Sequence, residues 1–182
     1  MIALPNYADI NGRPMKKLQI EQYLRKLQLN DFEPAVNLAT LTKLQDAHLK
    51  YIPYENFDCL NGKITSLKRQ DMFNKVIMHN RGGICFELNG LYNWLLESLG
   101  FDVTSYSARF IDKMETYQLR RHRVMCVALG EKRYLTDVGV NSESPRVPLE
   151  IVEGLIQSDG ISQYKFTRSE SVSYTHLTLP TT

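Results

Sequence analysis

Seven consecutive residues, Arg81 to Glu87 with the sequence RGGICFE, constrain the fold of this chain more than any other segment. Glycine has no side chain, so the pair Gly82-Gly83 lets the backbone turn sharply just before a cysteine. Apolar residues then recur at steps of three and four, which predicts a helix. They are Leu88, Leu91, Tyr92, Leu95 and Leu99. Gly100 stands where such a helix would end.

Cys85 is therefore expected in the first turn of this helix. The first N–H groups of a helix have no partner inside it, and the helix dipole is positive there, so negative charge is favoured. A cysteine in that place favours its thiolate, which is the nucleophilic form. The sequence predicts that Cys85 is a nucleophile, and the alternative is a buried cysteine at a helix start.

A predicted hairpin downstream offers Cys85 a proton partner. Residues 123–129 (RVMCVAL) are typical of a buried strand, Gly130-Glu131 of a tight turn, and 132–138 (KRYLTDV) of the returning strand. This register makes His122 and Asp137 cross-strand neighbours. Nucleophile, base and a carboxylate that orients the base together form a catalytic triad.

These motifs resemble those of the arylamine N-acetyltransferase family. The resemblance rests on RGGICFELNG around Cys85, on His122 at the start of a strand, and on YLTDVG around Asp137. Residues 52–57 (IPYENF) are also similar to the family's I-P-[FY]-E-N motif. The order and spacing of the motifs are more specific than any one of them, and the resemblance covers about residues 18–139.

The resemblance implies a fold and an activity. Family members have an N-terminal helical domain, a β-barrel and an α/β lid. For this chain it implies an α+β fold, with a helical bundle in residues 1–100 and an incomplete antiparallel β-barrel in 101–171. The core would be cysteine-protease-like, with Cys, His and Asp, and the C-terminal α/β lid would be absent. The implied activity is acetyl transfer from acetyl-CoA to an arylamine or hydrazine through an acetylated cysteine.

The resemblance also implies roles for single residues. By motif match Cys85 is the nucleophile, His122 the base and Asp137 the orienting carboxylate. Many members read Phe-Gly after Asp-Val-Gly, where this chain has Val140-Asn141. In the family that segment lines the pocket for the acceptor substrate. The resemblance therefore implies that Val140, together with Phe86, lines such a pocket, and which acceptor it prefers stays open.

Glu55 and Arg81 are implied to support the site. Together with Gly82 and Gly83, they would hold the cysteine loop against the loop around Pro53. The alternative is that Glu55 and Arg81 are two separate solvated charges.

Composition excludes several other classes. With 182 residues, 43% hydrophobic and 23% charged, the chain is typical of a globular protein with a real core. A net charge of +2 with scattered lysines and arginines does not favour nucleic acid. No apolar run is long enough for a membrane span, and the N-terminus does not resemble a signal peptide.

The three cysteines are widely spaced, which favours a reducing cytoplasm over a disulfide framework. Cys59 and Cys126 are both predicted to be small core residues. Cysteines and histidines do not fall into close ligand pairs, so no metal site is predicted.

The remaining patterns predict helices over about residues 15–29 and 37–48, a packed loop over 51–60, and a helix from an N-cap at Ser66 to about Asn80. His48 is expected at a helix end, where its charge would favour the dipole. Short strands are expected at 147–149 and 161–167. The boundary between helical and strand-rich parts is expected near Gly100.

The end of the chain is predicted not to belong to the fold. Residues 172–180 (VSYTHLTLP) can be encoded by codons that resemble the adapter of transposase-made sequencing libraries. Residues 172–182 are therefore expected to be a non-native tail that makes few contacts. An ordinary threonine-rich tail is the alternative.

Two other functions remain open from the sequence. A cysteine hydrolase or transglutaminase-like enzyme would use the same triad, although Phe86 stands where a papain-type enzyme has tryptophan. A truncated fragment without catalytic competence would also carry these motifs.

Overall fold

A computed structural model describes residues 13–110, 120–140 and 144–168 with their side chains, and the backbone of residues 2–3, 169 and 172–178. In these ranges the helices come first and most of the strands follow. The helices are α1 (Lys17–Lys26), α2 (Leu38–Tyr51), α3 (Phe57–Leu60), α4 (Arg69–Phe73) and α5 (Cys85–Ser98), and a π-helical segment (Asn74–Met78) continues α4. None of them has both the length and the apolar content that crossing a bilayer requires.

Helix α5 is the central element of the helical part. Each residue from Glu87 to Leu96 is buried, so the helix is covered on all sides. It begins at Cys85, as predicted, and it ends where Gly100 adopts φ +92°. Phe101 N there donates to Leu96 O and Gly100 N to Glu97 O, so the last carbonyls of the helix are satisfied.

The helix before the cysteine loop differs from its prediction. It starts at Arg69, and Ser66 instead accepts a bond from Lys68 N (3.4 Å) and donates to Asp71 (2.6 Å). From Asn74 onward the helix widens into the π-helical segment, so the predicted continuous α-helix is wrong. Segment 51–60, predicted as a loop, contains the short helix α3.

The strands form two antiparallel sheets. They are β1 (Ile2–Ala3), β2 (Asp102–Ala108), β3 (His122–Leu129), β4 (Lys132–Thr136), β5 (Leu149–Glu150), β6 (Ile156–Ser158), β7 (Gln163–Ser169) and β8 (Val172–Thr178). The larger sheet has the order β1-β2-β3-β4-β5 and the smaller one β6-β7-β8. The two sheets do not close into a barrel within the described ranges.

The hairpin predicted from the sequence is confirmed. Leu129 pairs with Lys132, and Gly130 at φ +62° begins the two-residue turn between them. Positive φ at the first turn residue matches a type II′ hairpin, whose twist suits the flanking strands. The pairing runs on to Met125 and Thr136, so His122 and Asp137 lie just beyond the same end of the ladder.

Both faces of the larger sheet are buried. One face packs on the helices in a cluster that includes Met125, Val127 and Tyr134. The other face packs on the smaller sheet through a cluster of five buried residues. These are Val124, Leu135, Leu149, Tyr164 and Phe166. Alternate strand residues serve alternate faces, as the pleat requires. The division into domains at Gly100 stays a prediction.

The segment expected to be a tail is paired in the structure. Val172–Thr178 runs antiparallel to β7, with Lys165 opposite Thr178 and Phe166 opposite Leu177. The structure therefore differs from the expectation of few contacts, because the backbone of this segment pairs with a strand. Residues 170–171 and 179–182 lie outside the described residues, and the origin of this sequence stays a prediction.

Candidate active site

Cys85 is the first residue of α5, and its side chain is half-buried. Its sulfur lies 3.6 Å from the carbonyl oxygen of Arg121, the residue just before β3. The helical part and the strand part of the chain therefore meet at this thiol. The sulfur also lies at the end of β3 where His122 begins the strand.

His122 and Asp137 form a buried pair beside the thiol. Nε2 of His122 lies 2.6 Å from Oδ2 of Asp137, and the two side chains are 5% and 9% exposed. The hairpin argument predicted this contact, and it is confirmed. Nδ1 of His122 is buried and has no hydrogen-bond partner among the described residues. It is thus the ring nitrogen left for the sulfur of Cys85.

The charge state of His122 follows from its neighbours. Burial lowers its pKa, but the charge and hydrogen bond of Asp137, together with the thiol of Cys85, raise the pKa of His122 to about 10. The imidazole is therefore protonated at neutral pH when the sulfur is anionic. The ring of Phe110 lies 4.9 Å from the ring of His122, centroid to centroid.

Asn89 holds the carboxylate of Asp137, a role that the sequence analysis missed. Its Nδ2 donates to Asp137 Oδ1 at 2.8 Å and also to the carbonyl of Arg123, while its Oδ1 accepts from Val138 N at 2.8 Å. Gly139 N donates to the same Oδ1 of Asp137 at 2.8 Å. Asn89 lies one turn after Cys85 on α5, and this spacing was the available signal.

The glycines of the site are needed for close approach. The sequence argument expected Gly82 and Gly83 to make a sharp turn, but neither has positive φ. A Cβ on Gly82 would overlap the carbonyl oxygen of Pro53, and one on Gly83 would lie 2.9 Å from Oε2 of Glu87. A Cβ on Gly139 would lie 2.9 Å from Cβ of Cys85. Neighbouring segments therefore pack directly against the loop that carries Cys85.

Glu55 and Arg81 form the expected ion pair, with Nη2 and Nε of Arg81 at 2.6 and 2.9 Å from Oε1 of Glu55. The pair is only partly buried, because the side chain of Arg81 is 38% exposed while that of Glu55 is 12% exposed. It belongs to a larger cluster with Asp58 and Lys75. Backbone contacts add to it, since Glu55 N donates to Gly83 O at 3.0 Å.

The other two cysteines differ in placement. Cys126 is buried, and burial raises the pKa of its thiol, which suits a core residue. Cys59 is exposed, so its prediction as a core residue is wrong. Its neighbours Phe57 and Leu60 are exposed as well, because α3 lies at the surface.

Phe86 and Val140 are each half-buried, and their part in an acceptor pocket stays a prediction. Asn141, the next departure from the family motif, lies outside the described residues. Within the ranges that the structure describes, no group of His, Cys, Asp and Glu side chains is arranged to hold a metal ion.

Comparison with known proteins places the chain in a family. The model of a family described as N-acetyltransferase matches residues 37–179. The chain belongs to the arylamine N-acetyltransferase family. Curated relatives in this family include the arylamine N-acetyltransferases of Escherichia coli K12, 34% identical over 72% of this chain, and of Mycolicibacterium smegmatis, 35% identical over 80%.

Solved structures of the family share the fold. The arylamine N-acetyltransferase structure from M. smegmatis matches 82% of this chain and 57% of its own, with 33% identity and a TM-score of 0.78. This chain covers 47% of the E. coli relative and 55% of the M. smegmatis relative. It therefore spans about half the length of the curated family members that it matches.

Proposed function

We propose that this chain carries the acyl-transfer site of an N-acetyltransferase that uses acetyl-CoA and acetylates arylamines or hydrazines. Cys85 is the nucleophile, His122 the acid and base, and Asp137 the group that orients His122. The cytoplasm suits such an enzyme, because thiols stay reduced there. The observation that carries the proposal is the 2.6 Å contact between His122 Nε2 and Asp137 Oδ2, with the buried Nδ1 left for the thiol.

The first half of the reaction forms an acetyl-cysteine. The Cys85 thiolate attacks the thioester carbonyl of acetyl-CoA, and a tetrahedral oxyanion forms. Backbone N–H groups at the start of α5 are natural donors to that oxyanion. The carbon–sulfur bond to coenzyme A then breaks, and the imidazolium of His122 protonates the leaving thiolate.

The second half transfers the acetyl group to the amine. Acetylation removes the negative charge of Cys85, which is one of the causes that raise the pKa of His122. The pKa of His122 then falls, so the neutral imidazole becomes available to take a proton from the attacking amine. Free Cys85 is restored when the tetrahedral intermediate collapses. One histidine thus serves as acid and then as base.

The surroundings of the thiol support an aromatic acceptor. The ring of Phe110, 43% exposed, lies beside that of His122 with a tilt of 36° between the ring planes. Tyr54 is 41% exposed, and the charge of Cys85 contributes, after burial, to raising the pKa of its phenol. Both rings offer apolar surface near the reacting atoms, and aromatic rings pack well on one another. Phe86 and Val140 are further candidates for this pocket.

Mass spectrometry of the intact chain after mixing with acetyl-CoA tests the proposal. We expect one acetyl adduct on the Cys85 peptide, lost again when an arylamine is added. Cys85→Ser should give no thioester adduct, whereas Cys126→Ala should keep it. Asp137→Asn should fold but form the adduct about 10²–10⁴ times more slowly, because the imidazole loses its orienting carboxylate.

Other outcomes would point to the other candidates. Hydrolysis of peptide substrates without an acetyl adduct would favour a cysteine hydrolase or transglutaminase-like enzyme. A folded chain that is neither acetylated by acetyl-CoA nor active on peptides would mean that the 182 residues lack catalytic competence.

A further inference from the structure

We propose that Lys75 is a positioning residue that shields Cys85 from the negative charge of Glu87. The inference rests on the proposed function to the extent that it takes Cys85 as the nucleophile. It concerns a residue with no contact to the thiol itself, and it assigns a role to the π-helical segment that carries this lysine.

Lys75 makes a close set of ionic contacts. Its Nζ lies 2.9 and 3.1 Å from the two carboxylate oxygens of Glu87, 2.9 Å from Asp58 Oδ2 and 3.9 Å from Glu55 Oε1. The lysine side chain is 17% exposed and that of Glu87 is 3% exposed. Burial lowers the pKa of Lys75, but its bonds to Glu87 and Asp58 raise it above the usual value. The ammonium is therefore charged throughout the neutral range.

Glu87 is fixed to the backbone that carries the nucleophile. It lies two residues after Cys85 in the first turn of α5, and its Oε2 accepts from Ile84 N at 3.0 Å. The absence of a side chain on Gly83 makes room for the same carboxylate. A carboxylate satisfies the helix start, yet its negative charge, bonded to the backbone of the residue before Cys85, disfavours a thiolate there. A cation on Glu87 resolves this conflict.

The other charged groups of the cluster do not replace Lys75. Arg81 contacts Glu55 and Asp58, and the exposed Lys63 lies 3.9 Å from Asp58 Oδ1, so the described cluster contains three carboxylates and three cations. Without Lys75, the two remaining cations would contact Glu55 and Asp58, and Glu87 would lose the cation that the structure pairs with it. A nearly buried carboxylate without its partner is strongly unfavourable.

Several titratable or charged groups on different elements lie near Cys85 or bond one of its neighbours. His122 and Arg121 lie at the start of β3, Asp137 bonds His122, Tyr54 lies in the loop before α3, and Glu87 lies in α5 itself. The variants below leave all of these in place except Glu87, so a change in reactivity is attributable to the Lys75–Glu87 pair.

The test is the pH profile of iodoacetamide alkylation, read on the Cys85 peptide so that exposed Cys59 does not interfere. Lys75→Met should move the midpoint of alkylation at Cys85 to higher pH, by on the order of one pH unit, because the negative charge of Glu87 is then unshielded. Lys75→Arg should restore the wild-type midpoint, because it keeps the charge.

The double variant Lys75→Met/Glu87→Gln should bring the midpoint back toward wild type, because both charges of the pair are gone. Glu87→Gln alone should move it to lower pH. Lys50→Met, which breaks an exposed ion pair with Asp46 on α2, is the control and should leave the midpoint unchanged.

A purely structural role predicts a lower melting temperature for Lys75→Met with an unchanged midpoint, and no rescue by the second substitution. That result would overturn the proposal. If Lys75→Met does not fold, an unchanged or raised midpoint in Glu87→Gln would overturn it instead. Alkylation needs no acetyl-CoA, so a shifted midpoint in a chain that is never acetylated would refute the proposed function and keep this inference.

Discussion

At the scale of single residues, Asn89 shows how a polar side chain on a buried helix holds a reacting group. Both ends of its amide are used, toward Asp137 and Arg123 on one side and Val138 on the other. It therefore connects the helix that carries Cys85 to the strand ends that carry His122 and Asp137. A carboxylate fixed in this way keeps the imidazole in one tautomer and orientation.

Asn89→Ala should slow acetylation of Cys85 by about tenfold or more and lower the free energy of unfolding by about 1–3 kcal/mol, because buried partners lose their bonds. Single-turnover acetylation and urea unfolding measure the two effects. The matched control is Asn93→Ala, one turn further along α5, where the buried amide bonds Glu97 and Ser105 instead. Equal slowing in both variants would show that Asn89 acts only through stability.

At the scale of helices, His48 makes the packing of α2 sensitive to acid. It was expected at a helix end, where its charge would favour the dipole, but it is fully buried, 6.0 Å from the ring of Tyr23 in α1 and 5.4 Å from that of Tyr92 in α5. Its ring nitrogens have no hydrogen-bond partner among the described residues. Burial lowers the pKa of His48 from its usual 6.5 to about 3.

The sign of the pH effect follows from the lowered pKa. Below about 6.5 the unfolded chain binds a proton on His48 that the folded chain excludes until about pH 3. The neutral, buried His48 therefore costs no free energy of unfolding above about pH 6.5. As the pH is lowered from 6 to 3, the free energy of unfolding falls by ~1.4 kcal/mol per pH unit. His48→Leu should flatten this slope in urea unfolding at several pH values. The exposed His79→Leu is the control, and an unchanged slope in His48→Leu would contradict the prediction.

At the scale of the whole molecule, one sheet joins two hydrophobic clusters. The helices pack on one face of the larger sheet, and the smaller sheet packs on the other through Tyr164 and Phe166. Trp94 is the only tryptophan of the chain and lies in the helical cluster, so its fluorescence follows the unfolding of that cluster. Because strands β3 and β4 contribute to both clusters, the two sides should unfold together.

Phe166→Ala should therefore lower the unfolding midpoint seen by Trp94 fluorescence, although the two residues belong to different clusters. Truncation of a buried phenylalanine typically costs about 3–5 kcal/mol. The control is Ile161→Ala, at a side chain that is 72% exposed near β7 and should have little effect. An unchanged Trp94 midpoint, with loss of strand signal in circular dichroism, would instead support two independent domains divided near Gly100.

The sequence alone determined what depends on local pattern. Helical spacing and Gly100 indicated the bounds of α5. The two strand-like runs on either side of the turn at Gly130-Glu131 indicated the hairpin, so the meeting of His122 with Asp137 followed from chain geometry. Local pattern also placed Cys85 at a helix start, and the motifs indicated the family. In each case the physical cause lies within a few residues of the feature that it predicts.

Only the tertiary structure decided what depends on contacts between distant segments. Burial of His48, exposure of Cys59, the bonds of Asn89 and the ionic contacts of Lys75 arise where separate elements pack together, and no spacing in the sequence encodes those distances. Gly82 and Gly83 show the same limit. Glycine was expected there for a turn. The structure gives another reason, because the backbone of Pro53 approaches Gly82 too closely for any side chain and the side chain of Glu87 packs tightly on Gly83.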